Sequence, residues 1–149
     1  NKANLALLRQ QRLTPRLTLN MNLRGQLADG NLDSIEKMSL GGAYGIRAFP
    51  QGEALGDEGW MASAELRYAL NSQWQLGAFL EAGGITYNKD PLPIGDRHRS
   101  LKGAGVSAYW QPHRQWQFSA TAATSLDNEE AVSDEPKDVY LWGQVQWMF

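Results

Sequence analysis

The chain has 149 residues, 42% of them apolar and 20% charged, with a formal net charge of −2; that length suits one structural unit, and the near-even charge gives no basic field with which to hold nucleic acid. There is no cysteine, which excludes a disulfide framework and a thiolate metal site. No apolar run approaches the roughly 18 residues that a membrane helix needs, but a polar mean hydropathy of −0.47 is what membrane strands give, because they are short and alternate in character.

The elements follow in chain order. A weak strand is expected over 3–10. Over 16–24, Leu17, Leu19, Met21 and Leu23 alternate with Thr18, Asn20 and Asn22, the period of two that marks a strand. A second weak strand is expected over 35–40, and a glycine-rich segment of about 41–60 follows it. Over 61–70, Ala62, Ala64, Leu66 and Tyr68 oppose Ser63, Glu65 and Arg67. Over 74–83, Trp74, Leu76, Ala78 and Leu80 oppose Gln75, Gly77, Phe79, Glu81 and Gly83. Strands over 103–110 and 115–122 repeat the alternation. The last, over 139–149, sets Leu141, Val145, Trp147 and Phe149 against Tyr140, Trp142, Gln144 and Gln146. About eight strands result, all antiparallel.

Alternation alone suits a soluble sandwich as well as a membrane barrel. The aromatic positions separate them. With consecutive strands reversed, Tyr68, Trp74, Trp110, Trp116, Trp147 and Phe149 fall at one rim and on the apolar face, the belt that a bilayer interface selects. Connections at that rim are short, about 71–72 and 111–114, whereas those opposite, 88–100, 127–138 and the glycine-rich segment, are long and polar. Short periplasmic turns and long external loops are the asymmetry of bacterial outer-membrane barrels. In this topology His98 and His113 lie at opposite rims, so a shared metal or triad is not expected. The acidic run from Asp127 to Asp138 lacks calcium-loop spacing and reads as a solvated loop. No catalytic chemistry, metal or cofactor is expected.

One segment carries a specific likeness. Ile46-Arg47-Ala48-Phe49 resembles the V-R-G-[FY] signature of the outer-membrane assembly and two-partner secretion superfamily. The longer run through Gly41, Gly42, Pro50, Gly52 and the Gly56–Gly59 stretch resembles in particular the TpsB transporters, the hemolysin secretion/activation family. The second family signature, F-x-D-x-G, is matched by Phe79-Leu80-Glu81-Ala82-Gly83. Ala48 stands for the signature glycine and Glu81 for the aspartate, so the loop tip and the reach of the acid must both differ slightly.

The resemblance implies that the segment folds back into the barrel lumen and that Arg47 pairs with Glu81 on the inner wall. Ile46, Phe49, Gly52, Phe79 and Gly83 support the motif. Glycine suits a loop that must approach the wall, and the planar fork of arginine can hold a carboxylate at two points. Glu65 and Arg67 face the lumen, either extending the network around Arg47 or lining wet wall. Val145, Trp147 and Phe149 form the C-terminal strand ending read by the barrel-assembly machinery. An eight-stranded barrel is filled by its own side chains and could not also admit such a loop. With neither a methionine start nor a signal peptide before Asn1, residues 1–149 are thus expected to be the C-terminal part of a larger barrel embedded in outer-membrane lipid. The implied function is export of an unfolded TpsA-type exoprotein, adhesin or hemolysin; a barrel-assembly insertase and a small ligand-binding barrel are the alternatives.

Overall fold

A computed structural model describes residues 1–88, 98–127 and 137–148. The strands are β1 (Lys2–Arg12), β2 (Leu17–Ala28), β3 (Met38–Ser39), β4 (Leu55–Gly56), β5 (Glu58–Ala69), β6 (Trp74–Thr86), β7 (His98–His113), β8 (Trp116–Ser125) and β9 (Tyr140–Trp147). Seven of them form one antiparallel sheet in the order β1-β2-β5-β6-β7-β8-β9, and β3 and β4 form a separate two-stranded ladder. Every wall strand therefore neighbours the next in sequence, an up-and-down meander.

The eighth wall strand expected over 35–40 is not in the wall. Its place is taken, because β2 pairs directly with β5 from Leu17↔Tyr68 to Gln26↔Gly59. Only Met38 and Ser39 extend, and they pair with Gly56 and Leu55. The inserted loop is correspondingly longer than 41–60: it leaves the wall after Ala28 and rejoins it at Glu58, so Gly59 and Trp60 belong to the wall.

The two faces of the sheet are as different as the alternation requires. Leu66, Leu76, Leu80, Val106, Leu141 and Val145 share one face and stay exposed, Leu80 by 61% and Leu141 by 78%. A contiguous apolar face of this extent would not be left in water; it is the lipid side of a barrel wall. Buried apolar residues lie instead on the concave side, where Leu40, Ile46, Ala48 and Phe49 of the inserted loop pack on Met61, Phe79, Ile85, Leu101 and Ala123 of the wall.

Beside the short turns the aromatic rings form a continuous stack. Trp74 lies on Trp110 with centroids 5.8 Å apart, Trp110 meets Phe118 at 5.3 Å, and Trp116 lies on Trp147 at 6.0 Å. Tyr68 continues the row opposite Leu76. Phe118 joins a belt in which the alternation alone did not count it. Phe149 and most of the acidic run lie outside the described residues. His98 and His113 stand at the two ends of β7.

Candidate functional site in the lumen

The loop between β2 and β5 is a hairpin with a stem and a tip. In the stem, the ladder of β3 and β4 continues through Leu40 N–H to the Ala54 carbonyl (3.2 Å) and Gly41 N–H to the Glu53 carbonyl (3.1 Å). Gly42 at φ 112° and Gly52 at φ 82° bracket the tip, in a region that side-chain-bearing residues rarely enter. Between them the tip closes on itself: Ile46 N–H donates to the Leu40 carbonyl (2.6 Å) and Gly42 N–H to that of Phe49 (3.1 Å).

Two buried acids hold the stem, Glu53 to the wall and Asp57 to the earlier part of the loop itself. Glu53 is ion-paired with Arg99 of β7. Asp57, wholly buried, accepts from Lys37 Nζ (3.0 Å) and from the backbone N–H of Leu32 (3.1 Å). Asp57 lies within the Gly56–Gly59 stretch of the family likeness and Glu53 directly follows Gly52 in the same run, but the likeness gave neither acid a role. The signal available was two carboxylates inside a glycine-rich segment, where solvent exposure is the ordinary expectation.

At the tip, Arg47 reaches the inner wall. Its Nε donates to Glu81 Oε1 and its backbone N–H to Glu81 Oε2, both at 2.7 Å. The two-point hold on the carboxylate thus uses one guanidinium donor and one main-chain donor. The remaining guanidinium nitrogens approach Glu65 Oε2 at 3.3 and 3.4 Å and Ser107 Oγ at 3.4 Å. Its Cζ lies 3.4 Å from the centre of the Phe79 ring, so the charge also meets the negative face of an aromatic. Glu65 stands between two guanidinia, because Arg67 Nε donates to its other oxygen and Tyr109 adds its hydroxyl at 2.6 Å. Glu65 thus links Arg47 and Arg67 in one set of contacts.

Wall and loop are fitted to one another. A Cβ on Gly83 would stand 2.9 Å from Leu40 Cδ2, and one on Gly103 would stand 2.6 Å from Ala48 Cβ; the loop lies closer than any wall side chain would allow. Ala48 is buried and its φ is not positive. The methyl group in place of the signature glycine faces the bare backbone of Gly103 across the gap. Phe49 and Ile46 are buried beside it, Phe79 supplies the ring under Arg47, and Gly52 makes the turn out of the tip. Val145 and Trp147 lie on the lipid side, remote from this cluster.

Contacts not foreseen from the sequence tie the tip across the sheet. Trp142 of β9 donates its Nε1–H to the Arg47 carbonyl (2.7 Å), and Gln144 Nε2 donates to Tyr44 Oη (3.0 Å). From the other side Arg24 of β2 donates to the Tyr44 carbonyl (2.8 Å). A tryptophan at an inward position was the signal for the first of these, since its N–H needs a partner. Trp142→Phe removes one hydrogen bond and keeps the ring. In the full-length protein it is expected to loosen the tip by about 1 kcal/mol, read as faster tryptic cleavage after Arg47 with the barrel otherwise intact.

Below the tip lies a polar cavity of about 680 Å³ lined by Arg47, Glu65, Glu81, Gln117, Trp142 and Gln144 among others. Among the described residues no group of three or more histidine, aspartate or glutamate side chains could hold a metal. The lining offers hydrogen bonds and fixed charge.

Residues 1–108 match the family described as haemolysin secretion/activation protein ShlB/FhaC/HecB. Among curated relatives, the heme/hemopexin transporter protein HuxB of Haemophilus influenzae strain 86-028NP is 27% identical over 139 residues, covering 89% of this chain and 25% of that protein. HuxB of strain Rd is 37% identical over 67 residues, 45% of this chain and 12% of the relative. Among solved structures, CdiB from Acinetobacter baumannii superposes with a TM-score of 0.72 at 21% identity, over 98% of this chain and 26% of that one. The chain thus spans about a quarter of the length of these proteins.

Proposed function

The chain belongs to the haemolysin secretion/activation family ShlB/FhaC/HecB, whose members are outer-membrane β-barrels, and on that premise we propose that it is the C-terminal part, residues 1–149, of the barrel of a two-partner secretion translocator. The full-length protein exports an unfolded TpsA-type exoprotein of the adhesin or hemolysin kind through the lumen. The wall sits in outer-membrane lipid, and the final strand, with Val145, Trp147 and Phe149, is read by the barrel-assembly machinery.

The observation carrying this reading is the loop tip held against the inner wall, with Arg47 between Glu81 and Glu65. A plug of that kind is useful in a conduit that must be closed at rest, and the polar lining below it is suited to an extended chain with its backbone amides unpaired. No covalent step is involved. The test is co-expression of the full-length protein with a candidate TpsA-type exoprotein. Exoprotein in the medium only when both are present is expected. Export without the barrel protein, or loss of other outer-membrane barrels when it is deleted, would replace this reading with another; the second result is that of an assembly insertase.

A further inference from the structure

The inner face nearest the short turns carries a charge pattern that the loop does not use. Arg12 stands opposite Thr18, and Thr18 opposite Arg67, so the two arginines share one cross-strand row on the face that bears Glu65. Arg16, in the turn between β1 and β2, is held beside them by a hydrogen bond from Ala69 N–H to its carbonyl (2.8 Å). The three line a cavity of about 430 Å³ with Gln10, Asn20 and Gln75.

Arg67 is engaged by Glu65. Arg12 donates to the Pro15 carbonyl (3.1 Å), a neutral partner. Among the described residues no carboxylate pairs with Arg12 or Arg16. None of the three short connections contains an acid, and the one between β7 and β8 adds Arg114. In the lining of this cavity and the larger one under the tip, Arg12, Arg16, Arg24, Arg47 and Arg67 face only Glu65 and Glu81.

We propose that this arginine-rich mouth receives acidic stretches of an extended polypeptide arriving from the short-turn side. The inference rests on the export reading above and adds which part of a cargo meets the lumen first. Sidedness selects peptide carboxylate over lipid phosphate, because Arg12 and Arg67 share the face opposite to that of Leu66, Leu76 and the tryptophan stack. The chemistry fits a peptide twice over: guanidinium forks bind carboxylates, while Gln10, Asn20 and Gln75 offer neutral donors and acceptors to the backbone. Exposed ion pairs in a wet channel are weak. Weak, repeated contact is what a conducting path requires, since a passing chain must also leave.

The experiment uses the full-length protein in planar bilayers, with hexaglutamate, hexalysine or an uncharged serine–glycine hexamer added at the short-turn side. Hexaglutamate is expected to block the current at the lowest concentration, and added salt to weaken that block. Arg12→Gln with Arg16→Gln should weaken it about three- to tenfold, with block by the uncharged peptide unchanged. Equal block by hexaglutamate and hexalysine, or an unaltered block in the double variant, would overturn the proposal. So would an effect of the double variant seen only on changing zwitterionic for anionic lipid, because the arginines would then face headgroups. A protein that exports its exoprotein normally without charge-dependent block refutes the mouth alone; one that shows the block but exports nothing refutes the export reading and leaves the mouth standing.

Discussion

Arg47→Ala in the full-length protein is expected to abolish or sharply reduce export while the barrel still assembles. The substitution leaves Glu81, with only 3% of its side chain exposed, holding a single backbone N–H. Losing one member of a buried ion pair costs about 3–5 kcal/mol, enough to undock a tip whose other attachments are a few hydrogen bonds and a small apolar cluster. Glu81→Ala should act in the same direction but less severely, because Arg47 keeps Glu65 on its far side. The wall is expected to survive either change, since its ladders run from strand to strand without the loop. Exoprotein in the medium and heat-modifiable migration of the barrel on a gel read the two effects separately. Normal export by both variants would remove Arg47 from the mechanism.

Gly103→Ala is the second large effect expected, and it has a built-in rescue. The added methyl would meet Ala48 Cβ at 2.6 Å, and one of them must move. Overpacking of this kind costs about 1–3 kcal/mol, all of it against docking of the tip. Ala48→Gly in the same chain removes the opposing methyl and should return export to near the parental level. Secretion assays on the two single variants and the double variant decide it: impairment by Gly103→Ala that Ala48→Gly leaves uncorrected would mean that the clash with Ala48 is not what undocks the tip.

The wall was legible in the sequence because a barrel strand exposes one face to lipid and the other to water, and period-two alternation records that choice along the wall strands β2 and β5 to β9. The face assigned to Glu65, Arg67, Phe79 and Glu81 follows from it directly. The segment 35–40 misled because six residues of mixed character carry no length signal; whether they pair with the wall depends on β2 and β5, which already satisfy each other. Residues 47 and 81 could be brought together only through the family likeness, since alternation places the acid inward but says nothing of where a loop folds. The buried acids Glu53 and Asp57 and the donor Trp142 were out of reach for the same reason. Their partners lie up to 95 positions away, and nothing local distinguishes a loop carboxylate that will be buried from one that stays in water.

A density map of the full-length translocator in a lipid nanodisc, sharp enough to place the side chains of positions 47 and 81, bears most directly on the plug. We expect the hairpin inside the barrel, one oxygen of the acid on the guanidinium and the other on the main-chain nitrogen. A resting barrel with that hairpin outside its lumen, or with the two charges apart, would contradict the account.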